Sequence, residues 1–223
     1  MLFALRQPVA FAGLLLAFLL GLIVRAYAIR ITARSLRLVD DPIHPRLRDD
    51  VDPFGAVAAA VGGLGWGKVL DVDEVPRWRG RGRAVAVFAA GPAACLVGSQ
   101  LVLLAYALVF PDQARPGDLG LGMVVLGGAD GSRGAVFLLS VGVGLFGFGL
   151  LALVPIPPLD GFGILWHAVR RPGHALQWMR TWLEHKNIGV VILIACCFLF
   201  QLGNPILLMP LDLIGTVLLR LWG

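Results

Sequence analysis

An uncharged run from Gly134 to Val154 leads directly into Pro155-Ile156-Pro157-Pro158-Leu159-Asp160-Gly161. A run of that length, apolar throughout, suits a helix that crosses a hydrocarbon core, which takes about 20 residues. Three prolines in four positions then end the helix, because each lacks the N–H that the preceding turn needs. The carbonyls they free find no partner in lipid, so the break must face protein or a wet cavity. Asp160 follows at once with apolar residues on both sides. A carboxylate kept at such a place is expensive and marks a functional position by default, whereas the plainer reading has it N-cap a helix from Gly161 to about Val169.

Outward from this segment the whole chain is membrane-like. Of its 223 residues 58% are hydrophobic and 15% charged, and the mean hydropathy is +0.82. A soluble domain runs nearer one quarter charged, so a secreted disulfide scaffold, a disordered chain and most cytosolic enzymes are excluded. The fold class expected is all-α, a polytopic transmembrane helical protein forming one domain over residues 1–223. Its spans fall at about 9–29, 84–110, 134–168 and 188–221, with Pro205 and Pro210 as breaks in the last. The uncharged run 54–67 is too short to span and is expected to be re-entrant or interfacial. Arg6, the apolar 9–24 run and Ala26-Tyr27-Ala28 imitate a cleaved signal peptide, but Arg25 stands between run and site, and cleavage would export a basic segment.

The net charge of +5 does not point to nucleic acid, because the cations are dispersed among apolar runs. Eleven Lys and Arg lie between Arg25 and Arg83, four between 168 and 187, and two between 111 and 133. The positive-inside rule therefore puts the two basic segments on the cytoplasmic face and the N-terminus outside. The lipid bilayer is the expected surrounding. Lys68-Val69-Leu70-Asp71-Val72-Asp73 alternates polar and apolar residues, the period of a half-buried strand. A short β element at the membrane surface is expected there, able to pair with an extended peptide.

Other chemical signatures are weak. Cys95, Cys196 and Cys197 lie in apolar stretches with no metal-binding spacing. Gly142-Val143-Gly144-Leu145-Phe146-Gly147 has the letters of a dinucleotide fingerprint but no preceding strand, and close helix packing through small residues explains it better. His44, His167, His174 and His185 form no zinc-helix pair, and none of Ser35, Ser99, Ser132 and Ser140 sits in a nucleophile elbow. The acidic residues from Asp40 to Asp52 lack calcium-loop spacing and read as a solvated loop.

Taken together, the motifs resemble the site-2 proteases, intramembrane zinc metalloproteases, in their compact bacterial form. Pro155 to Gly161 is similar to the family's Asn-x-x-Pro-x-Pro-x-Leu-Asp-Gly motif, in which the Asp is the third zinc ligand; that position is Asp160. Asp52-Pro53-Phe54-Gly55 resembles its Asp-Pro-x-Gly turn, Gly65-Trp66-Gly67-Lys68 its Gly-Trp-x-Lys segment, and Ala90-Gly91-Pro92 the Ala-Gly-Pro that opens its next membrane helix. The resemblance covers nearly the whole chain and implies a prokaryotic plasma membrane protein.

It breaks at the catalytic helix. Where the family carries His-Glu-x-x-His, two zinc-binding imidazoles and a general base, this chain has Arg25, Ala26 and Ile29. A guanidinium has no lone pair for a cation, and Ala and Ile carry no donor. The motif's Asn corresponds to Ala152, and an Asn often found after Ala-Gly-Pro to Cys95. The expectation is a degenerate member, without catalysis or resident cofactor, that binds a transmembrane or membrane-proximal protein segment. The contact residues expected are Lys68, Val69, Leu70, Asp71 and Val72 with Pro155, Pro157 and Pro158. Arg25 is expected either to pair with Asp160, replacing the metal's charge, or to snorkel to the interface. Two alternatives stand beside this: an active zinc enzyme drawing ligands from His44 or the Asp40–Asp52 loop, and a small transport component.

Overall fold

The structure, a computed structural model, describes residues 2–38, 50–68, 70–113, 116–201, 204–205 and 207–219. It is helical almost throughout. α1 (Pro8–Ser35) starts with proline at its first position, where no N–H is missed. α2 (Pro53–Gly62) follows, then α3 (Arg81–Val109), two short helices α4 (Pro116–Leu119) and α5 (Leu121–Val125), and α6 (Arg133–Ala152). α7 (Asp160–Ala168), α8 (His174–Met179) with a π turn at Arg180–His185, α9 (Ile188–Phe198) and α10 (Leu208–Leu219) complete the chain.

Three helices, α1, α3 and α6, are long and apolar enough to cross a membrane. They pack on one another, with α6 innermost: it is buried over nearly its whole length, whereas much of α3 is exposed. Small residues make the approach close. A Cβ on Gly144 would stand 2.7 Å from that of Ala17 on α1, and one on Gly149 would stand 3.0 Å from Leu96 on α3. In the 142–147 run, Gly144 and Gly142, whose Cβ would meet Leu103 of α3 at 2.8 Å, thus serve helix packing. The outer face of α3 is apolar as well, with Val97, Leu101, Leu104 and Leu108 exposed along one stripe. In water such a stripe would be costly, whereas lipid is its natural solvent.

Elsewhere the boundaries differ from the sequence expectation. The 134–168 span is two helices, because 153–159 forms the turn that the prolines dictate before α7 begins. The 188–221 span also divides. α9 and α10 are separated by a minimal antiparallel pair, β1 (Phe200–Gln201) with β2 (Asn204–Pro205). Pro210 lies in the first turn of α10, where its missing N–H costs nothing, so it is no break. Ala90-Gly91-Pro92 lies inside α3, whose start is at Arg81.

Among the described residues of 68–73 the expected strand does not form. Residues 72–74 are a turn, closed by the Glu74 N–H on the Asp71 carbonyl at 3.1 Å, and Val69 lies outside the described residues. Val72 and Val75 bury into a cluster with Val87, Phe88 and Phe162 instead of lining a sheet. The β pairing here is one bridge between Val51 and Gly67, extended by the Lys68 N–H on the Asp50 carbonyl at 2.8 Å. These contacts bring the two ends of the 54–67 run together, so the segment goes out as α2 and returns beside its own start.

Candidate functional site

α1 and α7 each contribute one buried charge, and the two meet. The Arg25 Nε and Nη2 donate to Oδ2 and Oδ1 of Asp160, each at 2.5 Å, a parallel two-bond fork. Arg25 is 4% exposed and Asp160 1%. The remaining Nη1 donates to the Lys68 carbonyl at 2.9 Å. All three nitrogens of the guanidinium are thus engaged in the interior, and the pairing reading holds over snorkelling. The N-cap reading of Asp160 fails as well: Leu159 occupies the cap position, and both carboxylate oxygens turn to Arg25.

Glycines make this meeting possible. A Cβ on Gly161 would stand 2.1 Å from the Leu153 carbonyl oxygen and 2.4 Å from that of Val154, so only glycine lets α7 start beneath the carbonyls at the break. A Cβ on Gly91 would meet the Arg25 side chain at 2.7 Å and Ile29 at 3.1 Å. Arg25 and Ile29, one turn apart, therefore lie against the same glycine of α3. Arg25, Ala26 and Ile29 also border one small cavity of about 80 Å³, together with Arg30, Asp50 and Leu70. Cys95 is fully buried on α3, and its thiol donates to the Gly21 carbonyl at 3.6 Å, one turn before Arg25.

A second buttress comes from the 50–68 segment. Asp52 caps α2 by accepting from the Phe54 N–H at 2.9 Å and also accepts from the Trp66 indole N–H at 2.7 Å. Gly55 and Gly65 cross in the gap: a Cβ on Gly55 would stand 2.0 Å from the Trp66 carbonyl oxygen, and one on Gly65 2.1 Å from that of Gly55. Arg30 forks onto Asp50 at 2.6 and 3.0 Å. This pair has no signature in sequence, because Arg30 and Asp50 belong to no local pattern.

Beyond the Lys68 carbonyl opens a cleft of about 230 Å³. Of the contact residues expected, Lys68, Leu70, Asp71, Val72, Pro157 and Pro158 line it. Pro155 does not, and Val69 lies outside the described residues. Phe162, Leu183, Glu184 and Asn187 are among the other lining residues and have no signal in the sequence, since three of them come from the segment after α8. Burial, and then the nearby Asp71 carboxylate, push the Glu184 carboxyl above its usual range.

The zinc site that the resemblance implies does not fit these residues. Asp160 spends both oxygens on a guanidinium, and a fixed cation within bonding distance opposes a divalent ion there. Among the described residues no group of three or more His, Cys, Asp and Glu could hold a metal. His44 lies outside the described residues, while Asp50 and Asp52, from the loop named as an alternative source of ligands, are engaged by Arg30 and Trp66. No family model, curated protein or solved structure matches the chain.

Proposed function

We propose that this chain is a multi-pass integral protein of a prokaryotic plasma membrane, built on the lines of a site-2 protease, that holds a membrane-protein segment without cutting it. The bidentate Arg25–Asp160 pair carries this reading. It stands at the position where the family motif would set its third metal ligand, and its partners on α1 supply neither a metal donor nor, at Ala26, a general base. The guanidinium neutralises a carboxylate that would be very costly to bury alone. Its third nitrogen fixes the Lys68 carbonyl, and so couples the buried pair to the edge of the cleft.

The cleft suits an extended segment: Leu70, Val72, Pro157, Pro158 and Phe162 give it apolar lining, and Lys68, Asp71, Glu184 and Asn187 add polar groups. The basic segments 25–83 and 168–187 lie on the cytoplasmic side in this reading. Two measurements test it. Purified protein should carry well under one zinc per chain, with no change in Asp160→Ala; about one zinc, lost in that variant, would restore the metalloprotease. A photoreactive residue at Leu70 should cross-link to a defined stretch of a membrane protein, and the same residue at Leu104, on the lipid face, should not. Lipid adducts alone at both positions would sink the binding role.

A further inference from the structure

One end of the bundle carries a cluster of cations that no ion pair engages among the described residues. Arg77-Trp78-Arg79-Gly80-Arg81-Gly82-Arg83 leads into α3, and two hydrogen bonds locate it. Arg79 donates to the carbonyl of Arg37 just beyond α1. Arg81 donates to the carbonyl of Ala168, the last residue of α7, at 3.5 Å. Arg170 and Arg171 follow after Val169. Among the described residues no ion pair engages Arg37, Arg79, Arg81, Arg83, Arg170 or Arg171.

Three tryptophans on these segments are exposed: Trp78, Trp178 and Trp182. Trp78 is 80% exposed, and the Arg79 guanidinium lies 4.9 Å from its ring centre. Trp182 is 41% exposed, with the Lys186 ammonium 3.5 Å from its ring. An ion pair from Arg180 to Asp73 ties the segment of Trp182 to the turn just before the arginine run. That ion pair sets the segment carrying Trp182 beside the one carrying Trp78. A large ring left open to water is unfavourable, whereas at a headgroup boundary its apolar body and N–H both find partners. A guanidinium held on one N–H by a backbone carbonyl keeps its other donors for a phosphate, which it can bind with two bonds.

We propose that this surface binds anionic phospholipid headgroups, with Arg79, Arg81 and Arg83 on phosphates and Trp78 and Trp182 at the boundary with the acyl chains. Free phosphate would satisfy the arginines and leave both rings unexplained, so the ligand is a lipid. The protein is reconstituted in phosphatidylcholine bilayers, and spin-labelled phosphatidylglycerol and phosphatidylcholine are compared for lipid immobilised on it. The wild type should prefer phosphatidylglycerol by roughly threefold or more at low salt, less at high salt. Arg79→Gln, Arg81→Gln and Arg83→Gln together should bring the ratio close to one, and the three Arg→Lys exchanges should keep it. Arg83→Gln alone, which removes no hydrogen bond found among the described residues, should give a partial drop. No preference in the wild type, no change in the Gln variants, or equal loss in the Lys variant would overturn the proposal.

Discussion

At the scale of single residues the chain depends on two charges that neutralise each other out of water. Removing one partner of a buried pair leaves an uncompensated ion, at a cost of about 3–5 kcal/mol, whereas replacing both with apolar groups of similar size is often neutral. Asp160→Asn and Arg25→Gln should therefore each lower stability to unfolding in detergent by roughly that amount, and Arg25→Met with Asp160→Leu should recover most of it. Additive losses in the double variant would show that the pair is not the unit. Both residues were legible in the sequence for one reason: each is an isolated charge in an apolar run. The third contact was not, since a backbone carbonyl at Lys68 has no side-chain signature and depends on how the 50–68 segment returns. The same holds for Arg30 and Asp50, whose pairing arises only once α1 and that segment are side by side.

At the scale of elements, run length located the long helices well, and local alternation misled at 68–73. A strand needs a neighbour as well as a period of two. Pairing with residues 50–51 ends at Gly67 and Lys68, and the valines beyond are drawn into the apolar cluster around Phe88. The motifs Asp52-Pro53-Phe54-Gly55 and Gly65-Trp66-Gly67-Lys68 looked like separate short signatures in sequence. In space they are one interlocked turn, closed by the Asp52–Trp66 hydrogen bond and by two glycines at van der Waals limits. Gly55→Ala and Gly65→Ala must push backbone against backbone and should each cost about 1–3 kcal/mol. Gly82→Ala, where an added Cβ meets nothing within 4 Å, should be neutral or stabilising by up to about 1 kcal/mol. Thermal unfolding of the three variants decides it, and equal losses in all would remove the packing argument.

At the scale of the whole molecule, the charges outside the core lead to an expected orientation. The ends of α1 and α7 and the start of α3 gather at one end, as the bonds of Arg79 and Arg81 show. α3 holds 29 residues, so its far end stands about 43 Å away at 1.5 Å per residue, more than a hydrocarbon core. The near end holds the arginine run, and the far loop, 111–133, has only Arg115 and Arg133. Moving that much positive charge outward is disfavoured during insertion, so the near end is expected inside. Cys95 and Cys197 are buried, and with Cys196 also replaced by serine a new cysteine reports alone. In that background an impermeant maleimide should label Arg171→Cys only in inside-out vesicles and Asp112→Cys only in right-side-out ones. The reverse pattern would invert the orientation and place the cleft outside the cell. Labelling of both from one side would mean that α3 does not cross at all.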